Sequence, residues 1–346
     1  MNLVMHFKLV CVPGYLCKLA HQNIETQSYR YAKGSRKNII SGIRTWIYFC
    51  KYFGFEHLPA SPDNIISFLE LCSNTSGYAH IKHLLHSIRF YHQAKNTQLP
   101  STFDLESTVQ GLKRKLSGAP NQALPINPEI LRKMFLKLDM RKTRDLSVWC
   151  SFLTTFFCLF RKSNSVPKSG DIKDDEKVLT RAHFRFNEVS RVVLVMVDFS
   201  KVNQFGNRDL VVPIPSNEDP ALDLYRHLRE LFARVDAPPS APAFSFAKDK
   251  FVTYSMFTTM LKKLLSNSGY NPDKYSGHSF RRGGATFLHS IGGSILQIQA
   301  CGDWSTLCFT RYLHLTLRDR WSSQKLMSDF ISRSCGEQRQ TETEAN

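Results

Sequence analysis

Gly277-His278-Ser279-Phe280-Arg281-Arg282-Gly283-Gly284-Ala285-Thr286-Phe287-Leu288, then Gly302-Asp303-Trp304 and Thr310-Arg311-Tyr312-Leu313, is the stretch on which the reading of this chain turns. His278 and Arg281 are three residues apart, so on a helix of about 3.6 residues per turn they lie roughly 60° apart and can address one ligand together. A phosphate is the natural ligand for that pair. Tyr312 adds a hydroxyl able to attack phosphorus, and an arginine, a histidine and a tyrosine converging there can break a phosphodiester without a metal. Such chemistry calls for a second arginine and a proton donor elsewhere in the chain.

The composition sets the frame. With 346 residues, 42% of them hydrophobic and 12% aromatic, the chain can bury two cores, which argues for folded domains over disorder. The net charge is +17, with 14 basic against 6 acidic residues before Pro120 and 32 against 23 after it. Both halves are thus basic, as expected where two lobes face a polyanion and release its counterions; nucleic acid fits this better than an anionic membrane. A charge that only keeps the protein in solution is the plainer alternative. The nine cysteines form no Cys-x-x-Cys pair and no zinc-like spacing, so they read as reduced thiols of an intracellular protein, with no metal or other cofactor implied. No apolar run approaches the roughly 20 residues of a membrane span. The first 27 residues mix His6, Lys8 and Lys18 among apolar positions and read as a poorly packed N-terminal extension, a cleaved signal being the alternative.

From Ser28 to Gly54, Tyr31, Ile39, Ile40, Ile43, Trp46, Ile47 and Phe49 recur at helical spacing, and Gly54 stands where a helix would end. Ser61-Pro62-Asp63 supplies an N-cap and a first-turn proline, and His80–Ala94 and Leu105–Leu116 read as further helices. Residues 28–118 are therefore expected to form a helical bundle, with Arg30, Lys33, Arg36, Lys37, Arg44, Lys82 and Arg89 on its polar faces as candidate DNA contacts or as ordinary solvated charge. Residues 119–125, with two prolines, read as a linker. In residues 126–335, helices are expected at Pro128–Leu138, Ser147–Leu159, Ala221–Val235, Tyr254–Ser268, Ser279–Ile291, Ser294–Cys301 and Ser305–Leu315, and a charged loop from Ser163 to Lys177. Arg191–Ser200 and Leu210–Ile214 read as antiparallel strands joined by a Lys201–Asn207 hairpin turn. The polar tail, residues 336–346, reads as disordered. The expected fold is mainly α with a small antiparallel β-sheet: an all-helical domain followed by a mixed α+β domain.

At Leu159-Phe-Arg161-Lys-Ser-Asn-Ser-Val-Pro, Ser200-Lys201-Val-Asn-Gln-Phe-Gly-Asn-Arg and His278-Ser-Phe-Arg281-Arg-Gly-Gly-Ala, the sequence resembles the tyrosine recombinase, or phage integrase, family. Its flavour is that of eukaryotic Crypton and DIRS-type mobile-element recombinases, and the resemblance spans roughly Ser28 to Phe330. It implies a core-binding domain followed by a catalytic domain around double-stranded DNA, with no cofactor, and a homotetrameric synaptic complex in a nucleus. Arg161 and Arg281 then clamp the scissile phosphate, Lys201 protonates the leaving 5′ oxygen, His278 assists proton transfer and Tyr312 is the nucleophile. Each role has its own physical sense. A phenol of pKa about 10 needs a positive field or a base; guanidinium forks match phosphate oxygens; a desolvated ammonium can act as an acid.

The family's usual His or Trp, nine residues before the tyrosine, falls on Asp303, whose carboxylate would repel phosphate. The neighbouring Trp304 is assigned the role instead, as an indole N–H donor. Arg282 and Arg311 are read as DNA-backbone contacts, and Trp321–Phe330 as a helix exchanged between protomers. Taken singly, Arg161 is a helix cap, Lys201 a hairpin charge, Trp304 a core aromatic and Tyr312 a packed phenol; their joint order favours the site. Two other functions remain open: a type IB topoisomerase-like relaxation of DNA, and a catalytically silent, domesticated DNA-binding protein, which Asp303 keeps in play.

Overall fold

The computed structural model describes residues 33–99, 101–116, 122–170, 178–197, 210–304, 306–313, 321, 324–325 and 327–328. The chain divides into two compact units, Met1–Asn121 and Gln122–Asn346.

In the first unit, α1 (Lys33–Phe53), α2 (Pro62–Ser73), α3 (Tyr78–Ala94) and α4 (Phe103–Leu116) pack their apolar stripes together. Trp46, Phe68, Leu69, Ile81, Ile88, Leu105 and Leu112 form the buried centre. Each large side chain there contributes about 1.5–3 kcal/mol by leaving water. Ser61 caps α2 by accepting from the Asn64 amide at 3.3 Å, with Pro62 in the first turn where its missing N–H costs nothing. Buried His92 ties α3 to the α1–α2 connection: its Nε2 accepts from the Ala60 amide at 2.9 Å, and its Nδ1 donates to the Ile88 carbonyl at 2.9 Å. That pairing requires a neutral ring.

The second unit is organised around α6 (Thr143–Phe157), where every residue from Leu146 to Phe156 is buried. Trp149 Nε1 donates to the Ala221 carbonyl at 2.7 Å and Ser147 Oγ to the Phe244 carbonyl at 2.6 Å, so these two buried polar groups are paired where water is absent. Around it lie α5 (Pro128–Phe135), α8 (Leu224–Arg234), α9 (Tyr254–Asn267) and α10 (His278–Ser290), followed by α11 (Ile295–Cys301). Strands β1 (Phe184–Asn187), β2 (Val192–Val197) and β3 (Leu210–Pro215) form an antiparallel sheet in the order β1-β2-β3. Val193 faces Ile214 and Val195 faces Val212 across β2 and β3, and these residues enter the core.

Several sequence expectations change. Among the described residues there are two small sheets, not one: β1 adds a third strand to the first, and β4 (Ser245–Ala247) and β5 (Lys250–Phe251) form a hairpin of their own. The segment read as a loop from Ser163 begins with a helical turn, α7 (Lys162–Ser165), because Ser165, Val166 and Pro167 are buried and Thr155 Oγ1 donates to Ser165 Oγ at 2.9 Å. In place of an α-helix over Ser305–Leu315, a 3-10 segment runs over Leu307–Tyr312. The Lys201–Asn207 turn and the 336–346 tail lie outside the described residues, as does part of Trp321–Phe330.

The glycine pair of the opening motif has a packing reason. A Cβ at Gly283 would fall 1.7 Å from the Ile126 carbonyl oxygen, so α10 meets the start of the unit backbone to side-chain-free backbone.

Candidate active site

Arg281 is 3% exposed, and its surroundings explain how a guanidinium is held there. Nη1 donates to the Leu159 carbonyl and Nη2 to the Gly302 carbonyl at 2.9 Å, while the guanidinium carbon lies 3.9 Å from the centroid of the Trp304 ring. Two turns of backbone are shaped for this. Leu159, just beyond α6, has φ 51° and Asp303 has φ 50°, both left-handed values that disfavour residues with a side chain. Gly302 is required between them, because a Cβ there would sit 1.8 Å from the Trp304 ring. Trp304 itself is buried with Leu159, Ala285, Ile298 and Phe309. The Gly-Asp-Trp turn is thus a cradle for Arg281.

Arg161 caps α7 and is half-buried, and His278 opens α10. His278 remains accessible as a residue, yet the protein around its imidazole withdraws enough water to lower its pKa, and the positive charges of Arg161, Arg281 and Lys162 lower it further. The charges of Arg161 and Arg281 thus reach His278, and the ring is biased toward its neutral form.

Lys162 is a fourth basic group here that the sequence reading passed over. Its Nζ donates to Thr258 Oγ1 at 3.0 Å and lies 4.5 Å from the centroid of the Tyr254 ring, and desolvation lowers its pKa. Its position directly after Arg161 was the available signal.

Trp304 is held with its ring against the Arg281 guanidinium and, at 5.5 Å between centroids, against Phe309. The backbone reason is the left-handed turn at Asp303, which leaves Trp304 buried and Asp303 half-exposed. Tyr312 closes the 3-10 segment that packs on α10, and Phe309, three residues earlier, links that segment to Trp304. The side chains of Tyr312 and Arg311, and all of Lys201, lie outside the described residues.

Arg282 differs from a free backbone-binding arginine: half-buried, it donates from Nη1 to Gln122 Oε1. In the first unit Lys37 and Arg44 lie seven residues apart on α1, and Lys82 and Arg89 seven apart on α3, so each pair shares one exposed helix face. Arg36 on α1 is half-buried, Lys33 begins that helix with its side chain outside the described residues, and Arg30 lies outside them. Among the described residues no cluster of three or more His, Cys, Asp or Glu is arranged to hold a metal, and no helix is long and apolar enough to cross a membrane. Cys50, Cys72, Cys150, Cys158 and Cys301 are free thiols.

Comparison with known proteins places this architecture. No protein-family model and no curated protein sequence matches the chain. Among solved structures, the XerH site-specific recombinase bound to palindromic difH substrate in a post-cleavage complex matches with a TM-score of 0.54 and 14% identity, over 78% of this chain and 70% of that one. A lambda integrase dimer bound to a COC′ core site matches with a TM-score of 0.54 and 12% identity, over 87% and 94%. The Tn1549 transposon integrase in complex with transposon right end DNA matches with a TM-score of 0.52 and 12% identity, over 90% and 99%. At such identities the likeness is one of fold: this chain shares the mainly helical fold, with small antiparallel sheets, of tyrosine recombinases and integrases.

Proposed function

We propose that this chain is a site-specific DNA recombinase or integrase that cleaves and rejoins duplex DNA through a 3′-phosphotyrosine. The observation that carries the reading is the approach of Arg161, from the end of one segment, to His278 and Arg281 on one helix distant in sequence, inside a fold shared with DNA recombinases. Arg281 supplies a fixed positive charge, preorganised by two carbonyls and an indole, so little rearrangement is needed as charge builds on phosphorus. Arg161, less buried, presents its fork to the phosphate oxygens.

In the reaction, the Tyr312 oxygen bonds to phosphorus while the bond to the 5′ oxygen breaks. Neutral His278 takes the phenolic proton, and Lys201 gives a proton to the leaving oxygen. The new ester conserves the energy of the broken bond, so a 5′ hydroxyl from another strand reverses the step without ATP or metal. Trp304 acts by holding Arg281. Lys37, Arg44, Lys82 and Arg89 are the backbone contacts that position the duplex, and Arg30, Lys33, Arg36 and Arg311 extend that set. The Arg161, Lys201 and His278 blocks favour a mobile-element recombinase of the Crypton or DIRS type, working in a nucleus as a synaptic homotetramer, with residues 28–118 as the DNA-gripping domain and 126–335 as the catalytic one.

A nicked suicide duplex tests this. Cleavage opposite the nick releases a short strand and traps the protein as a covalent adduct that survives denaturing electrophoresis. An adduct on a defined sequence supports the recombinase; retarded mobility without an adduct assigns the chain to DNA binding alone.

A further inference from the structure

Lys162 is fixed with unusual care for a lysine. Its Nζ lies 3.0 Å from Thr258 Oγ1, and that hydroxyl gives its own hydrogen to the Tyr254 carbonyl at 2.9 Å, so a lone pair faces the ammonium. The Tyr254 ring flanks the ammonium, with Nζ 4.5 Å from its centroid. The stem packs on the backbone just before His278: a Cβ at Gly277 would lie 2.7 Å from Lys162 Cδ and 3.2 Å from its Cβ.

These contacts aim a cation without neutralising it. No carboxylate forms an ion pair with Lys162 among the described residues, and of its three donors only the one on Thr258 meets an acceptor there. A lysine that served only packing would send its head to water, since the entropy of a long side chain opposes fixing it. Here an aromatic face and a hydroxyl hold it beside Arg161 and His278, with donors to spare for an anion of the ligand.

We propose that Lys162 is a further substrate-contacting residue of this site, donating from its ammonium to a non-bridging oxygen of the DNA backbone phosphate on which Arg161 and His278 converge. The inference rests on the strand-transfer reading for its catalytic consequence, and on DNA binding alone for its contact. An ammonium in this place adds a third positive charge to the phosphate pocket. It also keeps His278 neutral, in line with the lowered pKa of that ring.

The test uses the full chain with Lys162→Met, which keeps the stem and removes the charge, and Thr258→Val, which keeps the charge and removes its anchor. Adduct formation on the nicked duplex at saturating DNA is expected to fall about 10- to 100-fold in Lys162→Met and by less in Thr258→Val. The slope of log affinity against log KCl should decrease in magnitude by about 0.9 in Lys162→Met, the loss of one phosphate contact. Wild-type slope with cleavage within twofold overturns the proposal, and so does a lowered melting temperature with an unchanged slope, which assigns Lys162 to packing. If Lys162→Met does not fold, Lys162→Gln is measured in the same two assays under the same criteria. Absence of an adduct from the unaltered protein refutes strand transfer, while the salt slope still decides the phosphate contact.

Discussion

Replacing Trp304 by phenylalanine separates two roles for this residue. As a phosphate donor, Trp304 would lose its only N–H in the exchange, and removing one such donor costs about 2.7–4 kcal/mol in the transition state, or 10²- to 10³-fold in rate. As a wall for Arg281, it keeps an aromatic face under the guanidinium. A desolvated cation–π contact is worth about 2 kcal/mol or more, and a phenyl ring at the same 3.9 Å retains a good part of it. The expected loss is then about 1 kcal/mol, or roughly fivefold. Trp304→Ala removes the wall and leaves a cavity among Leu159, Ala285, Ile298 and Phe309, at a stability cost of about 3–5 kcal/mol. The assay is single-turnover adduct formation on the nicked duplex, with urea unfolding of each variant to confirm that it is folded. A hundredfold loss in a folded Trp304→Phe protein would refute the stacking role and restore the indole N–H as a donor.

Acid should destabilise the protein. Desolvation lowers the pKa of His92 and His227, and desolvation with the flanking cations lowers that of His278. Below the unfolded value of about 6.5 the unfolded chain binds these protons first, so stability present at pH 7 is lost as pH falls through the folded values. Urea midpoints at pH 7.5 and pH 5.5 check this, and an unchanged or higher midpoint at pH 5.5 contradicts it. Gly302→Ala forces a methyl into the Trp304 ring and should cost roughly 1–3 kcal/mol. Gly111→Ala, in α4 with nothing within 4 Å, should stabilise by up to about 1 kcal/mol, and thermal melts of the two would contradict this if they shifted alike. Exchanging Lys37, Arg44, Lys82 and Arg89 for glutamine should reduce the salt slope of DNA binding by about 3 to 4, read by KCl titration; an unchanged slope would make those faces solvent surface only.

Long periodic segments were legible because burial writes itself into spacing. Ile39, Ile43, Trp46 and Phe49 mark α1 within a few residues of its described ends, and the run of valines in Val192–Val197 marks β2. Short elements were not. Phe184–Asn187 has four residues and Lys250–Phe251 has two, too few to show a period, although each pairs with the neighbouring strand in the chain. The helical turn Lys162–Ser165 is set by a buried hydroxyl pair that its polar sequence conceals. At the site, His278 and Arg281 could be read from helical spacing and Arg161 from its block. The hold on Arg281 could not: its acceptors are backbone carbonyls at Leu159 and Gly302, and carbonyls carry no sequence signature. The stacking of Trp304 on Arg281 was equally hidden, because the orientation of that ring follows from a left-handed φ at Asp303 that no glycine announces.

The central claim is that an oxygen on the Leu307–Tyr312 segment attacks the phosphorus gathered by Arg161, His278 and Arg281. Mass spectrometry of the protein trapped on a nicked duplex and digested with nuclease and trypsin tests it most directly. The expected result is one peptide carrying a nucleotide 3′-phosphate on Tyr312, and no trapped protein in Tyr312→Phe. A nucleotide on any other residue, or an adduct that persists in Tyr312→Phe, would contradict the claim.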